Sequence, residues 1–168
     1  MFNLVFIIFC SAAIILLAFD FFLFAKVAGY SPYSSLASNT EPVSVIICAK
    51  NEEKNLAVNL PLILGQQYPD FEVIVVNDGS TDRTDELIKG LLAKYANLKT
   101  VFIAGKKDGG KKYPLQRGIE FAGNNILLLT DADCKPVSDQ WLNHMSRHFN
   151  DEVEIVLGYS SFVKTFSL

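Results

Sequence analysis

Val43-Ser44-Val45-Ile46-Ile47-Cys48-Ala49 is a seven-residue apolar run that stops abruptly at Lys50-Asn51-Glu52-Glu53. A short run of this kind, rich in β-branched residues and closed by polar ones, reads as a buried strand. Three similar runs follow at residues 71–77, 98–104 and 125–130, separated by segments of helical character. The alternation predicts an α/β domain, a mostly parallel, Rossmann-like sheet with flanking helices. In the first intervening segment Leu56, Leu60, Ile63 and Leu64 share one helix face, with a break or restart expected at Pro61. In the second, Thr84 is placed to cap a helix that carries Asp85 and Glu86 in its first turn and turns Leu87, Leu91 and Tyr95 inward. Further helices are expected at about residues 114–122 and 139–149, the latter packing Trp141 and Phe149 on the sheet.

Upstream of this domain, residues 2–25 are apolar except for Asn3, Ser11 and Asp20. Such a run is long enough to cross a hydrocarbon core of about 30 Å as a helix, so residues 2–26 are expected to form one N-terminal transmembrane anchor. Met1-Phe2-Asn3 offers no positive n-region and Val27-Ala28-Gly29 is a poor cleavage site, which argues against a removed signal peptide. Lys26 closes the run and nothing basic precedes it, a bias that places the following domain in the cytoplasm and the anchor in the cell (inner) membrane. Asp20, near the helix end, is expected toward the headgroups or a partner helix. Residues 27–41 turn to Ser, Pro, Asn and Thr without periodicity and read as a linker, leaving residues 42–168 for the domain.

Of the 168 residues, 50% are hydrophobic, enough to fill a core, and the formal net charge of −3 provides no bulk attraction for phosphate backbones. Nucleic acid is therefore not an expected partner. The three cysteines, Cys10, Cys48 and Cys134, show no CxxC spacing, which suggests a reducing compartment and no structural zinc. His144 and His148 lie four apart but lack HExxH and a third ligand.

In doubly wound sheets ligands bind beyond the carboxyl ends of the strands, and the chemically unusual residues of this chain follow its four runs. Asp131-Ala132-Asp133 ends the fourth; in an extended segment the two carboxylates would face one side with Ala132 turned away. That arrangement suits Mg2+ or Mn2+ shared with a diphosphate, although an aspartate pair also serves simply to stop a strand. Asp78-Gly79-Ser80 ends the second run in a sharp turn, where Gly79 lets a flat ligand approach and Asp78 can accept from a base imide; an ordinary Asp-Gly turn is the alternative. Asn51 and Glu52 suit a nucleotide-contacting loop or a plain helix start. Residues 105–111 fit GxxxxGK between a strand and a helix, but Lys112 stands where a P-loop requires Ser or Thr to hold magnesium, and a solvated basic loop explains the lysines as well. GxGxxG is absent, against a conventional dinucleotide site.

Taken together, Ser44 to Glu53, Val76-Asn77-Asp78-Gly79-Ser80-Thr81-Asp82, Gly110-Lys111 with Leu115 and Gly118, and Asp131-Ala132-Asp133 resemble the ordered motifs of family 2 glycosyltransferases of the GT-A fold. Cys48 and Lys50 depart from the proline and tyrosine usual there. The resemblance implies donor-binding roles for Ala49, Asn51, Glu52, Asp78, Lys111 and Asp131. It further implies a metal held by Asp133 with Asp131, Asp133 being the more direct ligand. It also implies metal-assisted, inverting transfer of a hexose from a nucleoside diphosphate, commonly UDP, to a lipid or glycan acceptor at a membrane. The family's general base and acceptor-binding motifs lie later than Leu168, so the chain is expected to be a truncated, nucleotide-sugar-binding part that is inactive alone. The competing expectations are a P-loop-like nucleotide hydrolase and a non-catalytic membrane-anchored binding module.

Overall fold

The computed structural model describes residues 2–29, 40–104, 110–150 and 152–158. Its contacts divide into two units, residues 1–36 and residues 37–168. The first contains α1 (Phe2–Ala28), whose segment Leu4–Ala25 is apolar apart from Ser11 and Asp20 and is not buried within the protein. At 1.5 Å per residue those 22 residues reach about 33 Å, a bilayer's hydrocarbon thickness.

In the second unit β1 (Val43–Ala49), α2 (Glu53–Leu64), β2 (Phe71–Asn77), α3 (Thr84–Leu92), β3 (Leu98–Phe102), α4 (Lys112–Phe121), β4 (Ile126–Asp131) and α5 (Trp141–Ser146) alternate along the chain. All strand pairs are parallel, in the order β3-β2-β1-β4. The chain therefore builds outward from β1 in one direction and then returns to add β4 on the other side. That reversal places a topological switch point between the carboxyl ends of β1 and β4, where Cys48 faces Asp131 across the ladder.

Strand alternation sorts the core. Val43, Val45, Ile47 and Ala49 of β1, with Val73 and Val75 of β2, meet Leu56, Leu60 and Ile63 of α2, Ile88 and Leu91 of α3 and Leu142 of α5. The opposite residues, Ile46, Ile74 and Val76, form a second cluster that is covered by Tyr113 and Leu115 of α4. Gly118 lets α4 approach closely, since a Cβ there would sit 2.6 Å from Ile46 Cγ2 and 3.0 Å from Val76 Cγ2. At the amino ends of the strands, buried Glu72 accepts from Ser44 Oγ at 2.6 Å and the Gly123 amide at 2.7 Å, and pairs with Lys99 at 2.5 Å. Burial opposes ionisation of Glu72, but Lys99, Ser44 and the Gly123 amide outweigh it and hold the carboxyl below the usual range.

Four expectations need correction. The helix containing Pro61 neither breaks nor restarts, because Pro61 lies in the last turn, and α2 ends only three residues later at Leu64. Thr84 does not cap α3 with its side chain; Asp82 Oδ1 accepts the Thr84 amide at 3.0 Å, and Thr84 is turned to α2 instead. Asp131-Ala132-Asp133 is not extended but leaves the strand in a turn closed by the Cys134 amide on Asp131 O at 3.1 Å. The last helix is shorter than expected, Trp141–Ser146, while Phe149 lies outside it.

Candidate donor-binding site

The loops after β1 and β2 are one hydrogen-bonded unit. Parallel register sets Ala49 beside Asn77, and the Asp78 amide donates to Ala49 O at 2.9 Å. Ala49 is itself 2% exposed and turned into the core, so it forms the floor of the site and presents no side-chain group. Beyond it Asn51 adopts φ 58°, a left-handed conformation that asparagine tolerates better than most residues. Asn51 Oδ1 accepts the Thr81 amide at 2.7 Å, while the Asn51 amide donates to Ser80 Oγ at 2.9 Å. Glu52 and Glu53, at the start of α2, give their amides to Thr84 Oγ1 at 3.0 Å and Asp82 Oδ2 at 3.3 Å. The free amides of α2 are thus capped by the neighbouring loop. Bonds from Thr84, the hydroxyl foremost, hold the Asp82 carboxyl below its ordinary range.

Asp78 follows, half-buried, with Gly79 at φ 60° turning the chain away behind it. Lys50 Nζ lies 3.2 Å from Asp78 Oδ2. At the fourth strand, Ala132 is buried and the flanking Asp131 and Asp133 are exposed, so the two carboxylates do emerge on the outer side although the segment turns. Asn59 of α2 fixes this turn, donating from Nδ2 to Ala132 O at 3.0 Å. Nothing in the local pattern marked Asn59, because its partner lies 73 residues away. Lys111, at the amino end of α4, donates to Asp131 Oδ1 at 3.2 Å, and that hydrogen bond raises the lysine's pKa above its ordinary value. Burial, with Asp131 second, pushes the Cys48 thiol up.

The donor set fits a hard divalent cation held jointly with a ligand. Among the described residues no three Asp, Glu, His or Cys side chains converge as a complete cage. Two exposed carboxylates at one turn are what a magnesium-type site uses when phosphate oxygens and waters supply the rest, and an ammonium already sits on one of them. Residues 105–109, which include most of the P-loop-like stretch, lie outside the described residues, as do residues 30–39 of the expected linker.

A parallel sheet whose switch point carries an acidic turn, a lysine and an Asp-Gly turn defines a nucleotide-binding α/β domain of the GT-A kind. The chain belongs to glycosyl transferase family 2, whose model matches residues 44–165. It is 31% identical to a beta-monoglucosyldiacylglycerol synthase of Nostoc sp. over 103 residues, 60% of this chain and 22% of that one. Its fold matches a Pyrobaculum calidifontis mannosyltransferase in complex with GDP-Man and Mn2+, with TM-score 0.66 and 25% identity, covering 82% of this chain and 41% of the other. It also matches S. aureus TarS 1-349 in complex with UDP-GlcNAc, with TM-score 0.54 and 30% identity, covering 60% of this chain and 29% of that one. The match thus spans about a fifth of the length of that curated relative, 22%.

Proposed function

We propose that this chain is the donor-binding part of a glycosyltransferase of the hexosyltransferase type. It would take a nucleoside-diphosphate sugar with Mg2+ or Mn2+ and serve transfer to a lipid or glycan acceptor at a membrane. The observation that carries the reading is the gathering of Asp78, Lys111 and the Asp131–Asp133 turn at the carboxyl ends of β2, β1 and β4 and the start of α4, around one switch point. Asp78 accepts the base N–H, and Asn51 and Glu52 hold the loop that shapes the base pocket. Asp133, which has no cationic partner among the described residues, binds the cation directly, and Asp131 assists. Lys111 transfers its ammonium from Asp131 to the diphosphate when donor is present. The cation supplies charge stabilisation on the leaving diphosphate as the glycosidic bond breaks. No carboxylate of this chain is assigned as the general base for inverting transfer.

The neighbours' complexes with UDP-GlcNAc and GDP-Man support a nucleotide-sugar ligand, and a relative named for a diacylglycerol product supports a lipid acceptor. The test is titration of UDP, GDP and ATP into the full chain in detergent, with and without Mn2+, for wild type, Asp78→Ala and Asp133→Ala. UDP or GDP binding that needs Mn2+ and weakens at least ten-fold in both variants is expected, the size of one lost charge-assisted contact, roughly 1.5–3 kcal/mol. A folded chain that binds ATP alone, or no nucleotide, would overturn the reading.

A further inference from the structure

The pair at the mouth of the base pocket points to a determinant of base choice. Lys50 and Asp78 follow the carboxyl ends of two strands in direct register, and their side chains meet at 3.2 Å. The backbone holds both in place: Asp78 donates its amide to Ala49 O, and Asn51, next to Lys50, is tied to Ser80 and Thr81. The two groups differ in depth. Asp78's side chain is 26% exposed and Lys50's 53%, so the carboxylate lies further in and the ammonium stands at the rim. Lys50 is the one cation that reaches Asp78 among the described residues, and the carboxylate's other oxygen, Oδ1, accepts no hydrogen bond from them. An acceptor set deep beside a donor at the rim matches a base edge with the opposite order, a ring N–H next to an exocyclic carbonyl.

Resting on the donor-site reading above, we propose that Lys50 is a specificity-determining residue that donates to the base carbonyl flanking the N–H held by Asp78. Uracil and guanine both present that edge. Cytosine presents a ring-nitrogen lone pair to the carboxylate, so acceptor meets acceptor, and if the ammonium reads the C4 side it meets an amino group, donor against donor. The Lys50–Asp78 ion pair of the free protein is then a preorganised reader: it opens by one contact on the ammonium and closes again on the carbonyl.

The experiment compares UDP, CDP, 2-thio-UDP and 4-thio-UDP, each with Mn2+, on the full chain in detergent as wild type, Lys50→Met and Asp78→Ala. Met keeps the apolar stem of Lys50 and removes only the ammonium, and the exposed position keeps the fold intact, which a thermal melt verifies. Sulfur is a poor acceptor. Wild type should therefore bind at least one thio-analogue several-fold more weakly than UDP, and CDP roughly ten-fold or more weakly. Lys50→Met should bind UDP several-fold more weakly and lose the thio penalty. If Lys50→Met binds UDP as tightly as wild type or tighter, Lys50 merely neutralises Asp78 and the proposal fails. It fails equally if wild type penalises neither thio-analogue or accepts CDP as well as UDP. Loss of UDP affinity in Asp78→Ala alongside any of those results would leave the donor site standing and remove only Lys50's role. UDP binding unaffected by Asp78→Ala would overturn both.

Discussion

Asn59 and Ala132 are both buried, and the bond from Asn59 Nδ2 to the Ala132 carbonyl at 3.0 Å is the link between α2 and the acidic turn. Replacing Asn59 with leucine keeps the volume and removes the donor, so a buried carbonyl is left without it. The expected cost is about 1–3 kcal/mol, read as a lower urea midpoint at unchanged slope. Because the same bond aims Asp131 and Asp133, Asn59→Leu should also weaken UDP binding with Mn2+ more than UDP binding without it. Equal loss under both conditions would make Asn59 a packing residue only. At this scale the charged residues at strand ends were legible as a group, since each directly follows a buried run, while their roles were not, because aspartates also stop strands and form turns. The sequence concealed those whose partners are remote: Asn59 and Thr84 look like an ordinary helical polar residue and an ordinary cap, and each acts on a segment tens of residues away.

Between elements, the positions of α4 and β4 depend on two contacts, one on the face of the sheet and one at the amino ends of its strands. Gly118 packs against Ile46 and Val76, and an added methyl would overlap Ile46 Cγ2 at 2.6 Å. Gly118→Ala should destabilise by roughly 1–3 kcal/mol despite alanine's better helix propensity and, by tilting the helix that begins beside Lys111, should weaken UDP binding as well. Gly90 in α3 meets nothing within 4 Å, so Gly90→Ala should stabilise by about 0.5–1 kcal/mol and leave binding unchanged. Chemical denaturation of the pair separates close packing from helix propensity. The strands were legible because each is a short, mainly apolar run, as a parallel sheet requires, with Ser44, Glu72 and Lys99 as polar interruptions. Helix limits were less so: Pro61 suggested a break, but α2 ends within a turn of it, leaving little helix to disrupt.

The second contact, at Glu72, gives the domain an acid-sensitive joint between β2, β1, β3 and the turn before β4. Its carboxyl is held below the ordinary range, so the folded state binds the proton less readily than the unfolded one. That stabilisation is complete above the unfolded carboxylate pKa, roughly 4.3, and is lost as pH falls through the lower folded value. Glu72→Gln should therefore cost about 1–3 kcal/mol near neutral pH, the bond from Lys99 being foremost in holding the carboxylate ionised although solvent screens its half-exposed ammonium. The deficit relative to wild type should shrink on acidification below about pH 4. A deficit independent of pH would show that the geometry of Ser44 and Gly123, and not the charge, holds the joint.

For the whole molecule, the two units have opposite surfaces. The described side chains of α1 expose leucine, isoleucine and phenylalanine all round, between 51% and 70% for Leu4, Phe6, Ile8, Leu17 and Leu23, with no polar face. A water-exposed helix of a soluble domain carries one apolar stripe, whereas a helix apolar on every side suits burial, in a bilayer or in a protein core. The sheet unit gathers most of its strand residues into two buried clusters, although Phe102, Leu129, Val137, Ile155 and Leu157 remain exposed. Full chain mixed with liposomes during synthesis should therefore remain in the lipid pellet through high salt and alkaline carbonate, while a chain beginning at Thr40 should stay in the supernatant and still melt cooperatively. Retention lost in high salt would mean that lysines hold the protein on a charged surface, because screening weakens charge attraction but leaves apolar burial intact. Retention through both washes would fix the donor site within a short tether of the bilayer, where an acceptor too apolar to leave the membrane can reach it.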